Sequence, residues 1–173
     1  TERRKELVAL IESTTKEVQE ATQAAATVKA DFEKIAEKVR KAGNSTTIGL
    51  LLRRERDQLP ELGTCRERLR FVSNETPAIH LRLLELQEYE EMLDDREAAI
   101  TAVIARLDDS IQKYDDSQIT QMVRDLLTTT AELLGTLIGD HDVYIKLLGE
   151  LEVAQRELIA QTEQSQAFID ERV

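Results

Sequence analysis

Apolar residues recur along this chain at spacings of four and three. In the first segment Leu7, Ile11, Thr14, Val18, Ala21, Ala25, Val28, Phe32, Ile35, Val39 and Ala42 keep that rhythm without a break. A mean repeat of about 3.5 residues belongs to supercoiled helices, because it holds one stripe against a partner over successive heptads. The pattern predicts a helix over residues 2–42. At 1.5 Å per residue its length is about 60 Å, more than the diameter of a compact domain of this size. The molecule is therefore expected to be elongated. Ala21 and Ala25, small at seam positions, would let a partner backbone come closer there than Leu allows.

Gly43 and Asn44 stop this helix, since both tolerate the left-handed conformation of a helix end, and Ser45 to Thr47 offer a hydroxyl cap for the next. The seam resumes through Ile48, Leu52, Glu55, Leu59, Leu62, Cys65, Leu69, Val72, Thr76, Ile79, Leu83, Leu86, Glu90 and Leu93. This predicts a second helix over about 47–93, with breaks near Pro60 and Pro77 where proline removes an amide proton and crowds the preceding turn. Asp94 with Glu97 has capping-box spacing, and Asp95 is an alternative cap. A third helix over about 95–114 carries Ile100, Ile104, Leu107 and Ile111. Tyr114 to Ser117 reads as a turn that caps the last helix, although the seam phase also permits continuity.

The last helix is expected over about 117–173, with Ile119, Val123, Leu126, Thr130, Leu133, Leu137, Tyr144, Leu147, Leu151, Ala154, Leu158 and Phe168 in phase. A second row, Leu127, Leu134, Ile138 and Ile145, widens its apolar face, so this stretch should touch two neighbours. Gly135, Gly139 and Gly149 suggest close crossing or a bend, because glycine inside a helix costs about 1 kcal/mol relative to alanine. No stop signal precedes Val173, and the chain is expected to continue.

Together these elements predict an all-α fold, an elongated antiparallel helical bundle or coiled coil of three to four long helices in a single domain over residues 1–173. Composition agrees, with no Trp, three Tyr, three Phe, six Gly and two Pro in 173 residues, too few aromatics and turn formers for a sheet protein. No apolar run approaches the roughly 18 residues that span a bilayer. The opening at Thr1, without Met or a leader, reads as an internal or processed piece of a larger protein.

Charge is uneven. The formal net of −11 divides into +1 over residues 1–42, −2 over 43–93 and −10 over 94–173. A negative surface repels phosphate backbones and anionic headgroups, so a nucleic-acid partner or a basic lipid-wrapping module is disfavoured.

Catalytic and metal constellations are not found. His80 and His141 are the only histidines, and no Glu-x-x-His motif stands on any predicted helix. Asp140, His141 and Asp142 point about 100° apart on a helix and do not converge on one ion. His141 reads as a solvated or bundle-edge residue, and His80 as a partly buried structural one beside Ile79. Cys65, on the seam, reads as a small hydrophobe; as the single thiol it excludes an internal disulfide framework. No enzyme, cofactor or metal is expected. Arg53, Arg54, Arg56, Arg66, Arg68 and Arg70 form a basic stretch. They read either as a solvated face paired with Glu55, Asp57, Glu61 and Glu67, or as a contact with anionic lipid or the acidic last helix.

The stretch Ile48 to Pro60, with Gly49, Leu52-Arg53, Arg56 and Leu59-Pro60, resembles the helical extramembrane region of large MscK-like mechanosensitive channels of the MscS family. Leu83-Leu84-Glu85-Leu86 and the closing Phe168 to Val173 are also similar, the latter to the segment just before the family's first membrane span. The resemblance covers most of the chain, although Pro77 has no place in the pattern and the pore helices and vestibule that define the channel are missing. It implies a non-catalytic periplasmic domain of a bacterial inner-membrane channel that answers osmotic downshock, joined to the membrane through residues after Val173. Homoheptameric assembly is implied too, with the rest of the same polypeptide as partner. The alternatives are the helical-bundle input domain of a ligand-sensing transmembrane receptor, and a spectrin-like structural spacer.

Overall fold

A computed structural model describes residues 2–43, 45–106 and 116–173, and among these it contains no strand. The helices are α1 (Glu2–Ala42), α2 (Thr46–Gln58), α3 (Leu62–Asp94), α4 (Arg96–Ile104) and α5 (Asp116–Asp170). Gly43 takes the left-handed φ of 64° and donates its N–H to the Val39 carbonyl at 2.9 Å, which ends α1. Ser45 Oγ then accepts from the Ile48 N–H at 3.3 Å and starts α2. α2 stops where Leu59 turns to extended backbone ahead of Pro60. Asp95, not Asp94, caps α4, its carboxylate accepting the Ala98 N–H at 3.2 Å.

Cross-helix contacts establish the directions. Arg4 Nε donates to Asp140 Oδ2 at 2.9 Å, and the Phe32 and Phe168 rings meet edge to face at 5.3 Å; both pairs are separated by 136 positions. A constant offset means that α1 and α5 run parallel and in register. Arg56 lies 3.9 Å from Asp170, Arg66 2.6 Å from Glu163 and Glu97 3.4 Å from Arg124, so α2, α3 and α4 descend α5 in the opposite sense. The chain is thus an up-down-up bundle whose middle leg is broken. At 1.5 Å per residue the 55 residues of α5 span about 80 Å.

The core is a narrow seam of three successive clusters. Leu7, Ala21, Val72, Tyr144, Leu148, Leu151 and Ala154 form the first, Ala25, Val28, Cys65 and Leu158 the second, and Ile35, Ile48, Leu52 and Ile169 the third. Burying one large aliphatic side chain is worth about 1.5–3 kcal/mol. With few such residues per turn, stability accumulates along the rod's length.

Several expectations are corrected. Pro77 lies inside a continuous α3. The carbonyl that it leaves unbonded belongs to exposed Ser73, where water can satisfy it, while Val72, Ile79, Leu83 and Leu86 hold both sides of the proline to the bundle. α5 ends at Asp170, followed by turns from Glu171 to Ala167 and from Val173 to Ile169. An added Cβ at Gly139 or Gly149 would meet nothing within 4 Å, and one at Gly135 only Glu90 Oε1 at 3.6 Å, so these glycines mark no close crossing. His141 is buried and donates from Nδ1 to the Leu137 carbonyl at 2.8 Å, whereas His80 is exposed. The seam passes through His141, so their expected environments are exchanged. The expected third helix stops early, α4 ending at Ile104 with Ala105 as its C-cap, and Asp116 and Ser117 of the expected turn open α5; Leu107, Ile111 and the Tyr114–Asp115 part of that turn lie outside the described residues.

The wide apolar face of α5 is only partly covered. Leu127, Leu134, Ile138 and Ile145 are half-buried, but Leu126 and Leu133 are 64% and 60% exposed. These two belong to the heptad row that continues through Asp140, Leu147, Ala154 and Phe168. That row faces α1, which begins level with Asp140. Above that level the flank has no α1 beside it.

Candidate functional site

The residues carrying the basic stretch and the resemblance lie together at one end of the rod. Ile48 and Leu52, the latter 1% exposed, dock α2 against Ile35 and Ile169. Gly49 is half-buried on α2, Leu59 is its C-cap, and Pro60 occupies the break before α3. Arg56 and Arg66 reach the acidic α5 at Asp170 and Glu163, while Arg68 turns to α1. There its Nη2 donates to Glu17 Oε1 at 2.7 Å and its Nε to Oε2, a paired geometry that suits guanidinium and carboxylate. Arg53, Arg54 and Arg70 are exposed. The six arginines therefore do not make one patch; three of them bridge helices.

Next to the Arg68–Glu17 pair, Tyr144 is 2% exposed and hydrogen-bonds Thr14, itself 2% exposed. Burial pushes the phenol pKa up, Glu75 adds to the rise, and Arg68 and the Thr14 hydrogen bond oppose it. Side chains from α1, α3 and α5 meet in this one polar cluster. Burial likewise raises the Cys65 thiol, against a smaller lowering by a backbone hydrogen bond, and keeps it a packing residue.

A groove of about 630 Å³ opens between α1, α5 and the α2–α3 break. Val28, Phe32, Ile35, Leu59, Phe168 and Ile169 form its apolar floor. Glu20, Asp31 and Glu55 stand on its rim with Gln23 and Gln58. The opening follows from the break: α2 ends at Gln58 and α3 starts at Leu62, so the middle leg lacks a helical turn over this part of the seam. Ser165 lines the same groove at 4% exposure, and its Oγ has no hydrogen-bond partner. Neither this groove nor Ser165 was found from the sequence. The available signal was the continuation of the four-three spacing through polar residues, Leu158, Thr162, Ser165 and Ile169, all buried.

Among the described residues no group of three or more His, Cys, Asp or Glu side chains is placed to hold a metal ion. No helix among them is long and apolar enough to cross a membrane. Comparison with protein-family models, curated proteins and solved structures returns no match. The architecture defines an all-α helical bundle packed along a long carboxyl-terminal helix.

Proposed function

We propose that this chain is a non-catalytic periplasmic accessory domain of a large mechanosensitive channel, one that opens under membrane tension during osmotic downshock. In this reading the domain modulates gating or assembly, the channel is a homoheptamer of the inner membrane, and the rod joins its own transmembrane helices beyond Val173. The observation that carries the reading is where the likeness falls. Leu52, Arg56 and Pro60 sit where the middle leg of the bundle is fastened to the last turns of α5, through Ile169 and Asp170. A displacement of the far end is then passed along α5 to its carboxyl end by a helix held on two sides. Such a strut biases closed against open states only if the two states differ in what the rod touches.

The test is patch-clamp recording of the full channel with and without residues 1–173. A shifted tension threshold or altered ionic dependence supports the reading. An unchanged threshold with unchanged ionic dependence overturns it.

A second reading, a spectrin-like spacer, is favoured by the up-down-up order with parallel outer legs. It requires a second copy of the same three-leg unit in the full-length polypeptide, adjoining this one.

A further inference from the structure

We propose that the groove at the α2–α3 break binds a small amphipathic organic cation, an ammonium group carrying an aromatic or short alkyl tail. This inference stands on the groove itself and is independent of the channel reading. Its floor offers the edge-to-face rings of Phe32 and Phe168 together with Val28, Leu59 and Ile169, surfaces that take an apolar tail. Three carboxylates, Glu20, Asp31 and Glu55, surround the mouth, and no lysine or arginine lines it. Lys16 and Lys34 pair with Glu20 and Asp31 at 3.6 and 3.1 Å from the exposed side. Glu55 is half-buried and has no cation partner among the described residues.

In the groove wall, the buried Ser165 hydroxyl has no hydrogen-bond partner, as donor or as acceptor. A buried polar atom left unbonded is costly, and an ammonium N–H supplies the missing hydrogen bond. One Phe168 face is already occupied by a cation, the Arg172 guanidinium lying 3.7 Å from the ring centroid. An anionic ligand would meet the three rim carboxylates, and a neutral one would leave Glu55 unpaired.

The probe is 4-phenylbutylammonium, titrated into the 173-residue chain and followed by methyl and amide NMR, with 4-phenylbutyrate and 4-phenylbutanol as charge controls. Saturable binding at roughly 0.1–1 mM is the scale for a ligand of this size. Shifts should concentrate on Val28, Ile35, Leu59 and Ile169, and both controls should bind at least about tenfold more weakly. Glu55→Gln and Ser165→Ala should each weaken the ammonium by about two- to fivefold. Ala24→Phe should fill the groove and abolish the localised shifts; helicity at 222 nm verifies that each variant is folded. Equal affinity for the anion or the alcohol, shifts spread along the whole seam, or no saturable binding overturns the proposal.

Discussion

Leu133 and Leu147 are the same residue type, two heptads apart on the same row of α5, and a reading of spacing alone treats them as equivalent. The structure does not. Leu147 lies below Asp140, with α1 alongside, and is half-buried; Leu133 lies above that level and is 60% exposed. Leu148, on the seam itself, is 0% exposed and packs with Tyr144 and Leu151. Truncation to alanine removes three carbons, and at about 0.8 kcal/mol each the transfer loss of a fully buried leucine is about 2.4 kcal/mol. The cavity left behind brings the usual cost to 2–5 kcal/mol. Leu148→Ala should therefore cost about 3 kcal/mol or more, a large part of a typical total stability of 5–15 kcal/mol. Leu147→Ala should cost about 1–2 kcal/mol, and Leu133→Ala no more than about 0.5 kcal/mol.

Urea titration followed by circular dichroism at 222 nm resolves these values. With a slope of about 1–3 kcal/mol per molar, Leu148→Ala should lower the midpoint by more than about 1 M, and Leu133→Ala should leave it nearly in place. The slope should stay constant, since each change affects stability and not the extent of burial. An equal cost for Leu133→Ala and Leu147→Ala would refute this difference in burial. That result would mean that the flank above Asp140 is covered in solution, and a loss that grows with protein concentration would identify a second copy as the cover.

Burial raises the Tyr144 pKa above the ordinary phenol value of about 10, so the folded state holds that proton more tightly than the unfolded chain. Its contribution is complete below about pH 10 and is lost as pH rises through the folded value, at up to about 1.4 kcal/mol per pH unit. Unfolding free energies measured from pH 8 to 11 should thus fall more steeply in the parent chain than in Tyr144→Phe. Gly139→Ala should stabilise the bundle by up to about 1 kcal/mol, because the new methyl meets open space and the helix interior favours alanine; thermal melts detect the shift. Cys65, 8% exposed with its thiol pKa raised by burial, should react with iodoacetamide at pH 8 at least about tenfold more slowly than a free thiol, and at the free-thiol rate in denaturing urea.

Helix content and the boundary at Gly43 were legible because spacing, glycine and a hydroxyl cap agree there. The phase of α5 was less so. A search for apolar residues follows Leu147, Leu151, Ala154, Leu158 and Phe168, whereas the buried line is His141, Tyr144, Leu148, Leu151, Gln155, Leu158, Thr162, Ser165 and Ile169. That line also keeps spacings of four and three, but several of its members are polar and a hydrophobicity count passes over them. For the same reason the spacing of the arginines did not reveal which of them would bridge to Glu17, Glu163 and Asp170. A helix supplies side-chain direction to within one turn; the identity of the facing element comes from the fold. Pro77 shows the converse, since a strong local signal yields where the seam on either side is already anchored.

The polar seam also bears on the register of the bundle. A seam made only of leucine would stabilise the bundle more, yet it would tolerate sliding by a heptad, because each turn would present the same surface to its neighbour. Here a slide would separate the buried Tyr144 and Thr14, leaving them unbonded, and break the part-buried Arg68–Glu17 pair. One register is therefore selected over its neighbours by the cost of breaking that cluster. A bundle that holds one register moves its two ends together. Ser165 stays unsatisfied beside the α2–α3 break of the middle leg. Hydrogen bonding absent there is available to a ligand, and a ligand bridging α1 and α5 would stiffen the rod at the break without altering its register.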